Sequence, residues 1–201
     1  MSKLLGGVIV LGGMIAAALP LAAVAAPESY TMDPYHTFPH FEVNHFGYSN
    51  IRGRFDKTVG KFTIDRAAET GSLEITVQMA SVNTGDRERG NRPRTRDEHL
   101  QTADFFNVVE FPTMTFKSTG VKFSGDNPAI IAGNLALLGV SKPVPLQIQT
   151  WRCGQHPVSK KEMCGGSAVG SFKRSEFGMK YGIQFFSDEI KLWIGFEAYK
   201  D

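Results

Sequence analysis

Alternation of apolar and polar residues with a period of two runs through this chain from about residue 38 onward, and nothing else limits the fold as strongly. Leu73, Ile75, Val77 and Met79 alternate with Glu74, Thr76 and Gln78; Val144, Leu146 and Ile148 alternate with Pro145, Gln147 and Gln149. Near the end, Ile190, Leu192, Ile194 and Phe196 alternate with Lys191, Trp193 and Glu197. Successive side chains of a strand point to opposite faces, so these runs describe strands with one dry and one wet face. Turn-forming segments separate them: Glu69-Thr70-Gly71, Ser124 to Pro128, and Gly139 to Pro143. The pattern predicts about eight strands, over roughly 38–47, 50–65, 72–83, 112–123, 129–138, 143–153, 165–175 and 187–199.

One segment departs from it. Thr95-Arg96-Asp97-Glu98 has the form of a capping box, which predicts a short helix through Leu100 and then a second turn over Asp104-Phe105-Phe106-Asn107. Eight strands with one helical excursion are satisfied by an antiparallel barrel or sandwich. A barrel of that size has room for side chains or for one small ligand. The dry faces carry Phe41, Val43, Phe62, Ile64, Leu73, Ile75, Val77, Met114, Phe116, Leu135, Leu137, Val144, Leu146, Ile148, Phe172, Ile190, Leu192, Ile194 and Phe196. Such stripes form either a filled core or a dry tunnel. The filled core is the ordinary outcome, and alternation does not measure empty volume.

The first 25 residues lie outside this pattern. Lys3 precedes an uncharged apolar run, Leu4 to Leu19; Pro20 breaks it, and Ala23-Val24-Ala25 has the small-x-small form of a signal-peptidase site. This predicts a signal peptide over 1–25, cleaved after Ala25, and a single domain over 26–201. An uncleaved anchor would need about 20 apolar residues, and this run is shorter and holds Gly12 and Gly13. In an exported chain Cys153 and Cys164 are expected to form a disulfide, because the compartment is oxidising. So short a loop contributes about 2–3 kcal/mol in the chain-entropy picture.

Chemistry is harder to find. The 22 basic and 20 acidic side chains give a net charge of +2, which excludes a strongly basic nucleic-acid module. His36, His40 and His45 invite a metal. On a strand, however, His36 and His40 are about 13 Å apart and His45 has opposite parity, so no metal site is predicted. Gly165-Gly166-Ser167 lacks the form of a nucleophile elbow, and neither a phosphate loop nor a dinucleotide fingerprint occurs. Asp97-Glu98 and Asp188-Glu189 are explained by capping or solvation. The expectation is a protein without catalysis or cofactor. Residues 86–98 set Arg87, Arg89, Arg92, Arg94 and Arg96 against Asp86, Glu88, Asp97 and Glu98. They read as a solvated loop or, alternatively, as a guanidinium fringe for an anionic head group or a phospholipid surface.

Several blocks together resemble the YceI-like family of exported bacterial polyisoprenoid-binding proteins. They are Asp33 with His36-Thr37-Phe38, Phe41 to Ser49, Ser81-Val82-Asn83-Thr84, Arg96 to Leu100, Ala103 to Asn107, Phe111-Pro112, Gly133 to Val144 and Phe177-Gly178-Met179. The resemblance spans roughly residues 28–200. It implies an all-β, lipocalin-like, extended eight-stranded antiparallel barrel with one short helical segment and an apolar tunnel. It also implies a periplasmic location and binding, transport or storage of an isoprenoid or other long-chain lipid. The stripes then become tunnel lining, Phe105 and Phe106 edge one mouth, and His36, His45, Asp104 and Lys142 are head-group candidates. The implied partners are the lipid ligand and transiently the inner membrane, with no nucleic acid; a homodimer stays open. Gly90 to Thr95 and the cysteine hairpin look like additions to the family pattern. Two competing readings are an accessory of a membrane redox or stress-response system that holds a quinone, and a filled structural barrel.

Overall fold

The first three strands, β1 (Glu28–Met32), β2 (Phe38–His45) and β3 (Ser49–Phe55), are followed by β4 (Thr58–Asp65), β5 (Thr70–Gln78) and the short β6 (Val82–Asn83). After a segment holding the helix α1 (Arg96–Leu100) come β7 (Thr113–Ser124), β8 (Asn127–Leu137) and β9 (Val140–Pro143). Then follow β10 (Leu146–Gln155), β11 (Glu162–Lys173) and β12 (Glu189–Lys200). This computed structural model describes residues 26–201, so the expected signal peptide lies outside the described residues. Among the described residues no helix is long and apolar enough to cross a membrane.

The strands close on themselves. The pairing runs β1-β4-β5-β7-β8-β10-β11-β12, and β12 returns to β1 through Tyr30 opposite Lys200 and Met32 opposite Ala198. Every pair is antiparallel, so the result is an eight-stranded closed barrel with no free edge around this ring. At one end β2, β3 and β6 continue β1, β4 and β5 beyond sharp bends. There β2 takes over from β1 along β12, β3 pairs with β2, and β6 with β3.

Those bends are where the alternation was read too smoothly. The expected strand 50–65 breaks at Asp56 and Lys57, and 72–83 breaks at a 3-10 turn over Met79–Ser81. The two breaks are tied together: Asp56 N–H donates to the Ser81 carbonyl at 3.0 Å, and Lys57 N–H to the Ser81 hydroxyl at 3.0 Å. Phe55 and Thr58 are both buried, so the parity slips by one residue, as at a bulge. Strand β1 lies ahead of the first expected strand, the expected turn Gly139 to Pro143 contains the short strand β9, and expected strand 143–153 begins only at Leu146, as β10.

Between β6 and β7 the wall is not a strand pair but residues 84–112. The capping box holds: Thr95 Oγ1 accepts from Glu98 N–H at 3.1 Å, and Glu98 Oε2 accepts from Thr95 N–H at 2.7 Å. Asp97 pins the segment to the sheet by accepting from the Thr84 amide at 3.0 Å and the Thr84 hydroxyl at 2.6 Å. Cys153 and Cys164 stand opposite each other on β10 and β11 and are bonded.

Candidate functional site

The interior divides into two unequal halves. In the half reached by β1, the end of β4 and the start of β5, only a void of about 50 Å³ remains. Aromatic rings fill the rest: Tyr30 stacks on Phe62 at 4.7 Å, and Trp151 lies 5.5 Å from Phe62 and 5.6 Å from Phe196. The other half, under α1, holds a chamber of about 600 Å³. That is within the range of small-molecule sites.

The chamber wall comes from three sources. Strands β2, β3, β7, β8, β11 and β12 give Phe41, Val43, Ile51, Phe55, Met114, Leu137, Phe172, Ile190 and Leu192. The segment around α1 contributes Arg92 to Arg96, His99, Leu100, Phe105 and Phe106. The connection between β11 and β12 adds Arg174, Met179, Tyr181 and Phe186. Rings are seated by local backbone. Phe41 lies over Gly53, where a Cβ would come within 2.4 Å of its ring, so only glycine leaves room for it.

Arg174 fixes the third wall. It is 2% exposed, and its guanidinium donates to the carbonyls of Ser187 (3.0 Å), Met179 (3.3 Å), Tyr181 (2.8 Å) and Phe186 (3.2 Å). Burial pulls its pKa below the usual guanidinium range. Four carbonyls gathered by one cation hold a connection that has no strand pairing of its own beyond the single His45–Phe186 bridge. His45 also stacks on Phe186 at 5.1 Å.

The polar rim is a set of paired charged and polar groups. His99 Nε2 lies 2.7 Å from Asp104 Oδ2, and Arg94 reaches the same oxygen at 3.3 Å. Arg92 makes a bidentate pair with Asp86 at 2.8 and 2.7 Å. That pairing, with the Arg96 amide, holds the Asp86 carboxyl down at about 2.

The expected lining residues sort by half. Phe41, Val43, Phe105, Phe106, Met114, Leu137, Phe172, Ile190 and Leu192 face the chamber. Phe62, Ile64, Leu73, Ile75, Leu146, Ile148, Ile194 and Phe196 surround the small void. Val77, Phe116, Leu135 and Val144 are buried but line neither space, and they make a packed waist between the two. Phe116 lies over Gly133 there, 2.3 Å from where a Cβ would sit. The expected tunnel is thus a chamber above a filled floor.

Of the head-group candidates, His45 lines the chamber and Asp104 is bonded to two residues that do. His36 and Lys142 are both exposed, and neither lines it. His36 is in the turn between β1 and β2, where Asp33 accepts from its ring at 2.8 Å and raises its pKa. Lys142 projects outward from the β8–β9 hairpin. Asp33, His36 and Glu197 also bring three possible metal-ligand atoms within 4.8 Å of one another. Asp33 is already engaged there by the Tyr35 amide at 2.9 Å and the His36 ring. Sequence reasoning compared histidines only with one another and missed the carboxylate that β12 brings. It also missed Arg174 and Tyr181, which carry no alternation.

The YceI-like domain family matches residues 30–198. A curated relative from Salmonella arizonae, named Protein YceI, is 36% identical over 178 residues, covering 88% of each chain. The crystal structure of a Campylobacter jejuni YCEI protein superposes with a TM-score of 0.64 at 32% identity, covering 79% of this chain and 90% of that one. A polyisoprenoid binding domain from Saccharophagus degradans, implicated in plant cell wall breakdown, has the same fold at a TM-score of 0.59 and 16% identity. It covers 86% of this chain and 98% of its own.

Proposed function

This chain belongs to the YceI-like family, and from that premise we propose that it binds a long isoprenoid or related lipid chain in the chamber, without catalysis, after export to the periplasm. The observation that carries this reading is the chamber itself, about 600 Å³ with walls mainly of aliphatic and aromatic side chains. Burial there is worth about 0.8 kcal/mol per methylene, so a chain of ten carbons or so suffices for firm retention. The Saccharophagus domain's description as polyisoprenoid-binding supports the choice of ligand class. The Cys153–Cys164 bond supports an oxidising compartment. Ligand specificity follows from the size of the chamber, since the packed waist limits how deep a tail can go.

Mass spectrometry of protein recovered under native conditions from its own cells tests this directly. A co-purifying long-chain lipid, and uptake of farnesol by delipidated protein, are the expected results. Protein that is recovered empty and takes up no polyprenol would overturn the reading.

A further inference from the structure

The turn that carries the chain from β1 to β2 is pinned to a single residue of β12. Met32 is the last residue of β1 to pair with that strand, opposite Ala198, and Phe38 the first of β2, opposite Gly195. Between them Asp33 N–H donates to the Glu197 carbonyl at 2.8 Å, and the buried Thr37 hydroxyl donates to the same carbonyl at 3.1 Å. Glu197 N–H donates back to that hydroxyl at 3.3 Å. From this anchored backbone the side chains of Asp33, His36 and Glu197 converge, and none of them lines either interior space. Asp33 Oδ2 lies 2.8 Å from His36 Nδ1, Glu197 Oε2 lies 3.8 Å from the same nitrogen, and all three atoms are within 4.8 Å of one another.

Ligands held about 2.0–2.2 Å from a tetrahedral zinc ion stand about 3.4 Å apart, between the two measured separations. His36 and Glu197, 59% and 39% exposed, are free to make that adjustment and leave water access to the remaining coordination position. Asp33, 11% exposed, is the fixed ligand: the Tyr35 amide takes its Oδ1 at 2.9 Å and turns Oδ2 to the imidazole. Charge points the same way. Glu28 and Asp86 are met by lysine or arginine, whereas among the described residues only His36 stands within 4.0 Å of Asp33 or Glu197 as a cation. A divalent ion balances both carboxylates. We propose that Asp33, His36 and Glu197 bind a divalent transition-metal ion of the zinc type, with water completing its shell. The ion clamps the turn to β12 at the point where β2 takes over from β1. An imidazole among the ligands favours zinc over magnesium and calcium, which take oxygen ligands in larger number. This site stands apart from the lipid chamber and does not depend on the lipid-binding reading.

The test titrates chelator-treated protein with zinc chloride by calorimetry and follows thermal unfolding with and without the metal. One equivalent should bind and raise the Tm, because the ion is held by the folded chain alone. His36→Gln and Glu197→Gln should each weaken binding about tenfold or more and abolish the rise in Tm. Both residues have exposed side chains, so the metal-free variants should unfold close to the Tm of the metal-free unaltered protein. His156→Gln, which removes a histidine from the β10–β11 hairpin, should bind zinc as before. No uptake up to about 1 mM zinc would overturn the proposal. Uptake that is unchanged in both His36→Gln and Glu197→Gln, or lost in His156→Gln, would overturn it by placing the ion elsewhere. Magnesium or calcium binding as tightly as zinc would overturn the transition-metal assignment. A bound equivalent that leaves the Tm unmoved would overturn the clamp.

Discussion

The two halves of this barrel share one strand pattern and differ about twelvefold in the room they enclose. Around Phe62 the inward positions hold rings that stack on one another, the closing pair β1–β12 is intact, and the disulfide lies along the adjoining β10–β11 hairpin. Around Leu192 the strands bend away, β6 pairs on one side only, and the wall is completed by residues 84–112 and the β11–β12 connection. An alternating strand specifies which side chains face inward. Whether they meet depends on how far apart the opposite walls are held, and here non-strand segments decide that.

The sharpest way to break this contrast is to truncate one inward side chain in each half. Phe62→Ala removes a ring packed against Tyr30, Trp151 and Phe196 and should cost about 3–5 kcal/mol in denaturant unfolding. Leu192→Ala removes a half-buried side chain that already borders empty space, so the loss should stay below about 2 kcal/mol. Equal losses would mean that the chamber side is as tightly packed as the floor.

Removing the disulfide should come next in size. Cys153→Ala with Cys164→Ala is expected to cost about 2–3 kcal/mol, chiefly through the unfolded chain, while farnesol uptake in the opposite half stays unchanged. Binding lost together with stability would show that the two halves are coupled.

Filling the chamber should do the reverse. Val43→Trp places an indole where space already exists, so it should weaken farnesol binding about tenfold, or about 1.4 kcal/mol, with little change in unfolding. Unaltered binding would place the ligand elsewhere.

How much of this was legible in the sequence follows the same division. Strands β5 and β12 could be read residue by residue, because one dry face forces strict parity and a slip would expose every apolar side chain. The α1 capping box and the cysteine pair were readable too, since both depend on a few neighbouring groups. The chamber's third wall was not. Arg174 follows Lys173 at the end of a strand, where two cations normally mean solvent; its burial depends on four carbonyls from a connection with no periodicity of its own. The loop arginines were visible as a charge cluster, which the fold divides: Arg87 is exposed while Arg94 and Arg96 line the chamber. Spacing could not divide them, because the division depends on Asp97 gripping Thr84 and on α1 turning the chain inward. His36, a head-group candidate by resemblance alone, lies in the exposed turn between β1 and β2.

The smallest effect concerns the outer lock of the filled half. Glu28 opens β1 and accepts from Lys200 at 2.7 Å, from Arg66, and from the Tyr30 hydroxyl at 3.2 Å, so it ties β1 to the end of β12 where the ring closes. Lys200 and then Arg66 hold its carboxyl down at about 2, against an ordinary value of 4.5. A depressed carboxyl favours the folded state only while it is ionised. Its contribution is therefore complete above pH 4.5 and is lost as the pH falls towards 2. The side chain is 30% exposed, and solvent screening brings the contribution down to about 1 kcal/mol. Unfolding of the unaltered protein and Glu28→Gln should differ by that amount near neutrality and converge in acid. A gap that stays constant from pH 6 to pH 2 would show that Glu28 acts through packing, and that the ring is closed by the β1–β12 backbone pairing without help from this charge.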